Sequence, residues 1–319
     1  MQMKGISLRG LEVFEALARS GTVAQAALDT GLSQPAVSQQ MRNLETALST
    51  TLIDHSRRPM RLTPAGRGFL RHATAALSEL RLATSEVSVM DLAHLSELNL
   101  GVIDDFDDDL TPRLAVILAD SIAGCRFRLS SKSSRDLVRM VCEDELHMAI
   151  SASTHETHEK LVEYPLVRDP LILVMPKECT EHPQTLLESA SDLPFLRYES
   201  DQLIANQIED FLKRDWAPLP ARFEIGSHLA LMSMVAHATG WTITTPLGFM
   251  RAARFHDRLS AHPLPGTGDA RQISLFTGAE WKGDVPRDIT NAFRGLIERR
   301  MISPAIEQMP WLEGQLHLL

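Results

Sequence analysis

Cysteine is scarce in this chain: Cys125, Cys142 and Cys179 are the only three in 319 residues, odd in number and far apart. A disulfide framework does not suit that count, and a reducing compartment, the cytoplasm, is the expected setting. Long apolar runs are missing as well. The opening MQMKGISLRGLEVFEALARSG carries Glu12 and Glu15 where a signal peptide would be hydrophobic. The longest apolar stretches, such as Pro170 to Pro176, have the length of a strand and fall far short of the roughly 20 residues of a membrane helix. Neither secretion nor a membrane partner is expected. There is no Gly-x-Gly-x-x-Gly or Walker loop, no Gly-x-Ser-x-Gly elbow and no His/Cys cluster at metal spacing. His155 and His158 stand three apart on a polar loop, where a histidine pair is ordinarily solvated. An enzyme is therefore not expected, nor is a cofactor or a metal.

What is present has the size of two domains with ample apolar content for their cores. The net charge of -9 is uneven: residues 1–67 hold eight Lys or Arg against five Asp or Glu, so the remainder carries -12. A basic end on an acidic body directs a polyanion to the first part only, because phosphate affinity follows local Lys and Arg.

That first part reads as three helices. Leu8, Leu11, Phe14, Leu17 and Ala18 recur at helical spacing behind a capping Ser7, predicting a helix over 8–19 that Ser20-Gly21 ends. Thr22-Val23-Ala24-Gln25 has the form of a capping box and opens a short second helix, broken at Gly31. Ser33 caps a third helix in which Val37, Met41, Leu44 and Leu48 step by four, three and four, leaving Gln34, Ser38, Gln39 and Arg42 on the other face. Pro35 is tolerated in the first turn, whose N–H has no intrahelical partner. A polar face with a single full charge suits a major-groove reader, since amides and guanidinium match base edges and hydroxyls match phosphates. It equally suits a plain three-helix bundle, and periodicity alone does not separate the two. The following segment favours the first. Leu52-Ile53 reads as a strand, residues 55–61 as a cationic turn with Arg57, Arg58 and Arg61, and Leu62-Thr63 as a returning strand, which is the shape of a wing able to hold phosphates.

Over Leu11 to Gly66 the sequence resembles, without a gap, the DNA-binding region of the LysR-type transcriptional regulators, from the Leu/Phe/Leu-Ala set through LSQPAVSQQMRNLE to LTPAG. The resemblance implies that Gln34, Pro35, Ser38 and Arg42 face double-stranded DNA from the third helix, and that Arg58 and Arg61 act from the wing. The chain departs from the family pattern at Ser49, where a helix-ending Gly is usual, and at Ile53 and His55, which replace Phe and Arg.

From Arg67 to Leu92 there is no proline, and Leu70, Ala73, Leu77, Leu80, Thr84 and Val87 form a seam of three- and four-residue steps. Such a stripe is expected to be covered by a second copy of the chain, and the resemblance implies a linker helix that pairs two protomers in a dimer or tetramer. Two third helices about one DNA turn apart, or a multiple of it, imply partly palindromic sites.

After Leu95 strands alternate with helices. Strands are predicted at 98–103, 126–129, 148–151, 171–175, 195–198, 222–225, 241–245 and 273–276, and helices at 109–119, 134–142, 202–213, 228–238 and 287–300. The alternation argues for a mostly parallel α/β sheet, and two sets argue for two lobes with a ligand cleft at the carboxyl ends of the strands. The layout resembles the family's effector-binding domain, built like periplasmic solute-binding proteins. The expected architecture is thus α/β overall: a winged helix-turn-helix over 1–66, a linker helix over 67–94 and an effector domain over 95–319, with one lobe at 95–168 and 269–302, the other at 169–268 and a tail at 303–319. Gly240 to Pro246 fits the family pattern, whereas His147 stands in place of a usual Asp.

Candidate effector contacts are the residues at strand ends: Asp104, Asp105, Ser133, Ser151, Glu199, Ser200, Ser227, His228 and Thr245. Several open helices, whose free N–H groups favour a carboxylate, although each Ser has a plain reading as a helix cap. Asp104-Asp105-Phe106-Asp107-Asp108-Asp109 cuts the other way: five carboxylates at one turn are either dipole partners of a helix start or a selector for a cationic effector. Three rival functions complete the reading: a redox-responsive regulator acting through Cys179, the thiol expected on a loop; an enzyme in the α/β half; and an architectural DNA binder without a ligand, against which the large two-lobed domain argues. In the favoured reading a small-molecule effector biases one arrangement of the lobes and so shifts the paired heads on DNA, with RNA polymerase as a further partner.

Overall fold

The computed structural model describes residues 6–54, 59–88, 96–121, 124–153, 160–188, 191–216, 218–220, 222–266, 268–281 and 284–319, without the side chains of Ser78, residues 81–88, Ser121 and Asp284. The chain divides into two compact units, Met1–Thr84 and Ser85–Leu319.

The first unit opens with α1 (Leu8–Ser20), α2 (Val23–Thr30) and α3 (Gln34–Leu48). Each starts on a hydroxyl cap: Ser7 Oγ accepts from Gly10 N at 3.0 Å, Thr22 Oγ1 from Gln25 N at 3.3 Å and Ser33 Oγ from Ala36 N at 3.4 Å. The Thr22 box is closed on one side only, because the Gln25 amide donates to Asp29 at 2.8 Å instead of returning to its cap. Gly21 and Gly31 end α1 and α2 at φ 65° and 64°, and Ser49 ends α3 at φ 51°, so the position that lacks the usual Gly keeps the left-handed backbone all the same. Val13, Phe14, Leu17, Ala26, Val37, Met41 and Leu44 fill the core between the three helices. β1 (Ile53–Asp54) and β2 (Arg61–Leu62) pair antiparallel as the wing.

A long α4 (Pro64–Ser88) follows. Its seam does not behave uniformly. Ala73 belongs to the core of the head and Phe69 lies 5.7 Å from Phe14, so the first part of the stripe is covered within one chain, contrary to the expectation that a second copy covers it all. Leu80 further along is 48% exposed.

The second unit contains two sheets. The first holds β3 (Glu97–Val102), α5 (Leu110–Ser121), β4 (Arg126–Ser131), α6 (Ser134–Cys142), β5 (Met148–Ala152) and β6 (Leu161–Pro170). The second is formed by β7 (Ile172–Pro176), α7 (Pro183–Leu187), β8 (Leu196–Tyr198), α8 (Leu203–Asp215), β9 (Phe223–Ile225), α9 (His228–Ala236), β10 (Thr242–Thr244), α10 (Pro246–Arg251) and β11 (Leu259–Pro263). The chain then returns to the first sheet with β12 (Ala270–Gly278), α11 (Asp284–Ile297), α12 (Ser303–Gln308) and β13 (His317–Leu318).

The first sheet runs β13-β6-β12-β5-β3-β4 and is parallel only across β5-β3-β4. This corrects the mostly parallel expectation. The segments β3-α5-β4 and β4-α6-β5 are crossover units and give parallel pairs, whereas β12 re-enters from the other sheet and runs against both its neighbours. The second sheet pairs β10-β7-β11 antiparallel, and the parallel pair β8-β9 joins through a bridge between Phe195 and Trp241. β6, which the sequence does not announce, contains Pro165 and Pro170. Its register with β12 jumps between Ile273 and Ser274, opposite Val167 and Pro165, so Leu166 bulges out and Pro165 is accommodated where the ladder is already broken. The segment read as a tail is folded: Met309, Leu312 and Leu316 are buried and β13 extends the sheet along β6.

Ser49→Gly relieves a left-handed conformation that a Cβ disfavours, and is expected to stabilise the protein by ~1 kcal/mol. The urea midpoint of the substituted chain measures this; an unchanged or lower midpoint refutes it.

Candidate nucleic-acid interface and effector site

The exposed face of α3 carries Gln34, Pro35, Gln39 and Arg42, with Ser38 half-buried beside them. Its side chains are already ordered among themselves. Arg42 Nη2 donates to Gln39 Oε1 at 2.9 Å, and Gln39 Nε2 donates to Asn43 Oδ1 at 2.8 Å. Asn43, also exposed, joins this row although the periodic reading passes over it. The wing is held against the helices at two points. Glu45, one turn from the end of α3, accepts from the backbone N–H of Leu52 at 2.7 Å and of Ile53 at 3.2 Å. Met60 N donates to Gly21 O at 2.9 Å. Arg61 is exposed on β2, while Arg57 and Arg58 lie outside the described residues.

In the second unit, the candidate residues part into exposed caps and buried network members. Ser133 and Ser227 cap α6 and α9 and are exposed, as are Glu199 and Ser200 after β8. Ser151 is fully buried, and its hydroxyl donates to Ser134 O at 3.3 Å, so it belongs to the seat of α6. Thr245 is fully buried too; its Oγ1 caps α10 through Gly248 N at 3.3 Å and accepts from Arg271 Nη2 at 3.0 Å.

Four of the five acids of the 104–109 turn meet an arginine. Asp104 meets Arg251 Nη1 at 2.7 Å, and Asp108 lies 3.5 Å from Arg251 Nε. Asp109 pairs with Arg113 at 2.6 Å and Arg300 at 2.8 Å, and burial raises the Asp107 carboxyl. Asp105 is buried and meets Arg271 Nη1 at 2.8 Å. Arg271 in turn gives Nε and Nη2 to Asp169 Oδ2, each at 2.9 Å, and Asp169 Oδ1 accepts from Leu247 N at 3.2 Å. Four of the turn's carboxylates are therefore already engaged by arginines, so its charge count alone does not select a cationic ligand.

Burial by itself raises the Asp105 carboxyl, but Arg271, with His228 and Arg251 behind it, outweighs burial and holds it below its ordinary value. For Asp169 burial prevails over Arg271 and the carboxyl is raised. Arg271 is held more firmly charged than usual because the two carboxylates overcome its burial.

Beside this triad runs a neutral chain of hydrogen bonds. His228 Nε2 lies 2.7 Å from Gly248 O, and since a carbonyl only accepts, Nε2 carries the ring proton. Nδ1 then accepts from the Tyr198 hydroxyl at 2.7 Å, and the Tyr198 oxygen accepts from the Thr244 hydroxyl at 2.7 Å. Burial, against the pull of Asp105, lowers the His228 pKa. Arg251, Arg271, Asp169, Tyr198 and Thr244 were not singled out by the sequence. The one available signal is a charged residue, Arg271, in a strand otherwise rich in apolar residues.

The three cysteines are free and half-buried. Cys179 packs against the apolar core. Burial, with Glu97 nearby, raises the Cys125 thiol. Among the described residues no group of His, Cys, Asp and Glu is placed to hold a metal ion, and no helix is long and apolar enough to cross a membrane.

Folding keeps His228 neutral, whereas the unfolded chain protonates it near the ordinary 6.5. Its contribution is therefore complete above that pH and is lost as pH falls through the lower folded value. His262, lowered by burial and then by His182, acts in the same direction. Melting temperature is expected to drop between about pH 7.5 and 5.5, and His228→Gln to flatten the drop. An equal drop in both proteins refutes the assignment.

Comparison with known proteins agrees with this geometry. Residues 8–67 match the family model of the bacterial regulatory helix-turn-helix protein, lysR family, and residues 94–282 match the LysR substrate binding domain. The HTH-type transcriptional regulator BbuR of Bordetella bronchiseptica is 28% identical over 273 residues, covering 85% of this chain and 83% of that protein. A hydrogen peroxide-inducible genes activator of Dickeya chrysanthemi is 27% identical over 275 residues, covering 85% and 88%. A mutant of Corynebacterium glutamicum OxyR shares the fold with a TM-score of 0.55 at 20% identity, over 95% of both chains. Vibrio fischeri DarR, solved in complex with DNA, does so with a TM-score of 0.50 at 16% identity, over 91% of this chain and 98% of that one. With a winged helix-turn-helix head and a two-sheet effector-type body both matched, the chain belongs to the LysR family of DNA-binding transcriptional regulators.

Proposed function

We propose that this regulator reads partly palindromic double-stranded DNA with the α3 face Gln34, Pro35, Ser38, Gln39 and Arg42 and steadies itself on phosphates with the wing arginines Arg57, Arg58 and Arg61. The effector site is the cleft between the two sheets, at the strand ends that carry Asp104, Ser133, Glu199, Ser200 and Ser227, with the buried Asp105, Ser151, His228 and Thr245 as its floor. The observation that carries this reading is the ionic contact of Arg251, on α10 of the second sheet, with Asp104 and Asp108 of the first. A contact that spans the cleft is one a ligand there will disturb, and a two-state element biased at that point transmits the disturbance. The chain works in the cytoplasm as a dimer or higher assembly through the linker segment over 67–94, of which residues 89–94 lie outside the described residues; Leu80, 48% exposed on α4, supports pairing with a second copy. RNA polymerase is the partner through which bound DNA is turned into a change in transcription.

Titration onto DNA from upstream of its own gene, against an unrelated fragment at two salt concentrations, tests the reading. Selective, salt-sensitive binding is expected, and no binding at low salt overturns it. Arg42→Ala is expected to weaken binding and relax base preference at one position. Arg61→Ala lowers affinity on every sequence and reduces the salt slope by about 1. If both leave binding unchanged, the DNA face is misplaced.

A further inference from the structure

Away from the candidate cleft, the body carries an open groove of about 440 Å3 between one face of α8 and the segments that cross between the two sheets. None of the candidate cleft residues lines it. Leu171, the single residue between β6 and β7, stands on one side with Asp269 and Ala270, where β12 begins. Gln207, Asp210, Lys213 and Arg214 of α8 stand on the other. Gln207, Asp210 and Arg214 step by three and four along the helix and so share one face, with Lys213 at its border.

The polar groups of the groove are unequally used. Arg214 pairs with Asp269, which ties the end of α8 to the crossing. Asp210 and Lys213 are exposed and make no ion pair among the described residues. Gln207 differs from both: its amide oxygen is buried and accepts no hydrogen bond among the described residues. An acceptor in that position carries the cost of its desolvation until a donor reaches it, and a ligand N–H supplies one. Two carboxylates and two cations line the groove, so their charges cancel. Asp210 and Asp269 disfavour a lone carboxylate, and Lys213 and Arg214 disfavour a lone amine. A molecule with both charges on one carbon is complementary to the set. Leu171 and Ala270 add an apolar base.

We propose that this groove is a second ligand site, distinct from the cleft, for a free α-amino acid with an aliphatic side chain. The ammonium group donates to the Gln207 amide oxygen and the Asp210 carboxylate, the carboxylate meets the Lys213 ammonium, and the side chain lies on Leu171 and Ala270. Arg214 keeps Asp269 as its partner. One wall is a helix of the second sheet and the other is the crossing itself, so an occupant ties the two together and favours the arrangement of the crossing that leaves the groove open to it. The cleft and its effector play no part in this recognition.

The test is calorimetric titration of L-leucine into the full-length protein, with 4-methylpentanoate, which lacks the ammonium group, and 3-methylbutylamine, which lacks the carboxylate, as controls. Saturable binding of one leucine per chain is expected, with each control at least tenfold weaker. Gln207→Met, which removes the acceptor at similar length, and Asp210→Asn, which removes the charge at an exposed position, are each expected to weaken leucine roughly tenfold. Absence of saturable leucine binding overturns the proposal. Binding that either substitution leaves unchanged overturns it too, because leucine then sits elsewhere, the cleft included. A control that binds as tightly as leucine overturns the assignment of a zwitterion. Should Gln207→Met fail to fold, Lys213→Met, at an exposed position, carries the test with the same expected loss, and an unchanged affinity overturns the proposal.

Discussion

Arg271 placed between Asp105 and Asp169 is the interaction on which the body of this regulator depends. It ties the turn after β3 to the strands that cross between the sheets, and through Thr245 it reaches the start of α10. Such a triad is not retained for stability alone, since well-packed apolar residues of the same volume would often serve as well. What it adds is direction. A guanidinium with fixed N–H vectors accepts only one arrangement of its carboxylates, and the apolar surfaces of two sheets do not by themselves choose an angle. Only Leu171 separates β6 from β7, and its N–H is bonded to Asp269 O at 2.8 Å, so the crossing strands are clamped to each other close to the triad.

The neutral chain from Thr244 through Tyr198 to His228 extends the same logic into the second sheet. Its direction is set by a single carbonyl, Gly248 O, which can only accept and so fixes every proton upstream. Gly248 also sits where a Cβ would come within 2.9 Å of the His228 ring, so the close approach depends on glycine at that place. These buried groups are therefore already satisfied, whereas Asp104 and Asp108, which meet Arg251, are exposed. The head is organised on a comparable plan. The Glu45 carboxylate and the Gly21 carbonyl fix the wing by accepting from its backbone N–H groups, while the polar row Arg42-Gln39-Asn43 is ordered by side-chain contacts.

The parts that were legible in the sequence are those fixed by local chemistry. Ser7, Thr22 and Ser33 announce helix starts because a hydroxyl next to an apolar period satisfies free N–H groups a few residues on. Gly21 and Gly31 announce ends because a left-handed residue closes the last turn. The α5, α6, α8, α9 and α11 periods, and most strands of the body, were visible for the same reason. β6 was not, because its two prolines read as breaks until the bulge opposite β12 accommodates one of them. The parallel arrangement was overestimated because alternation of strands and helices reports crossovers, and says nothing of a strand such as β12 that returns from another sheet.

The sequence by itself determined the class of the protein: a long ungapped head pattern, a proline-free seam and an alternating body suffice for a DNA-binding regulator with a ligand domain. Only the tertiary structure decided what the acids of the 104–109 turn do. Apart from Arg113, four residues after Asp109, their arginine partners lie far along the chain: Arg251 stands 147 positions after Asp104, and nothing in local spacing links the two. Only in the folded chain is Arg271 buried between two carboxylates and Arg251 left with an unfilled donor beside two hydrated ones. Charge composition sums over a segment, whereas binding depends on which charges burial has already paired.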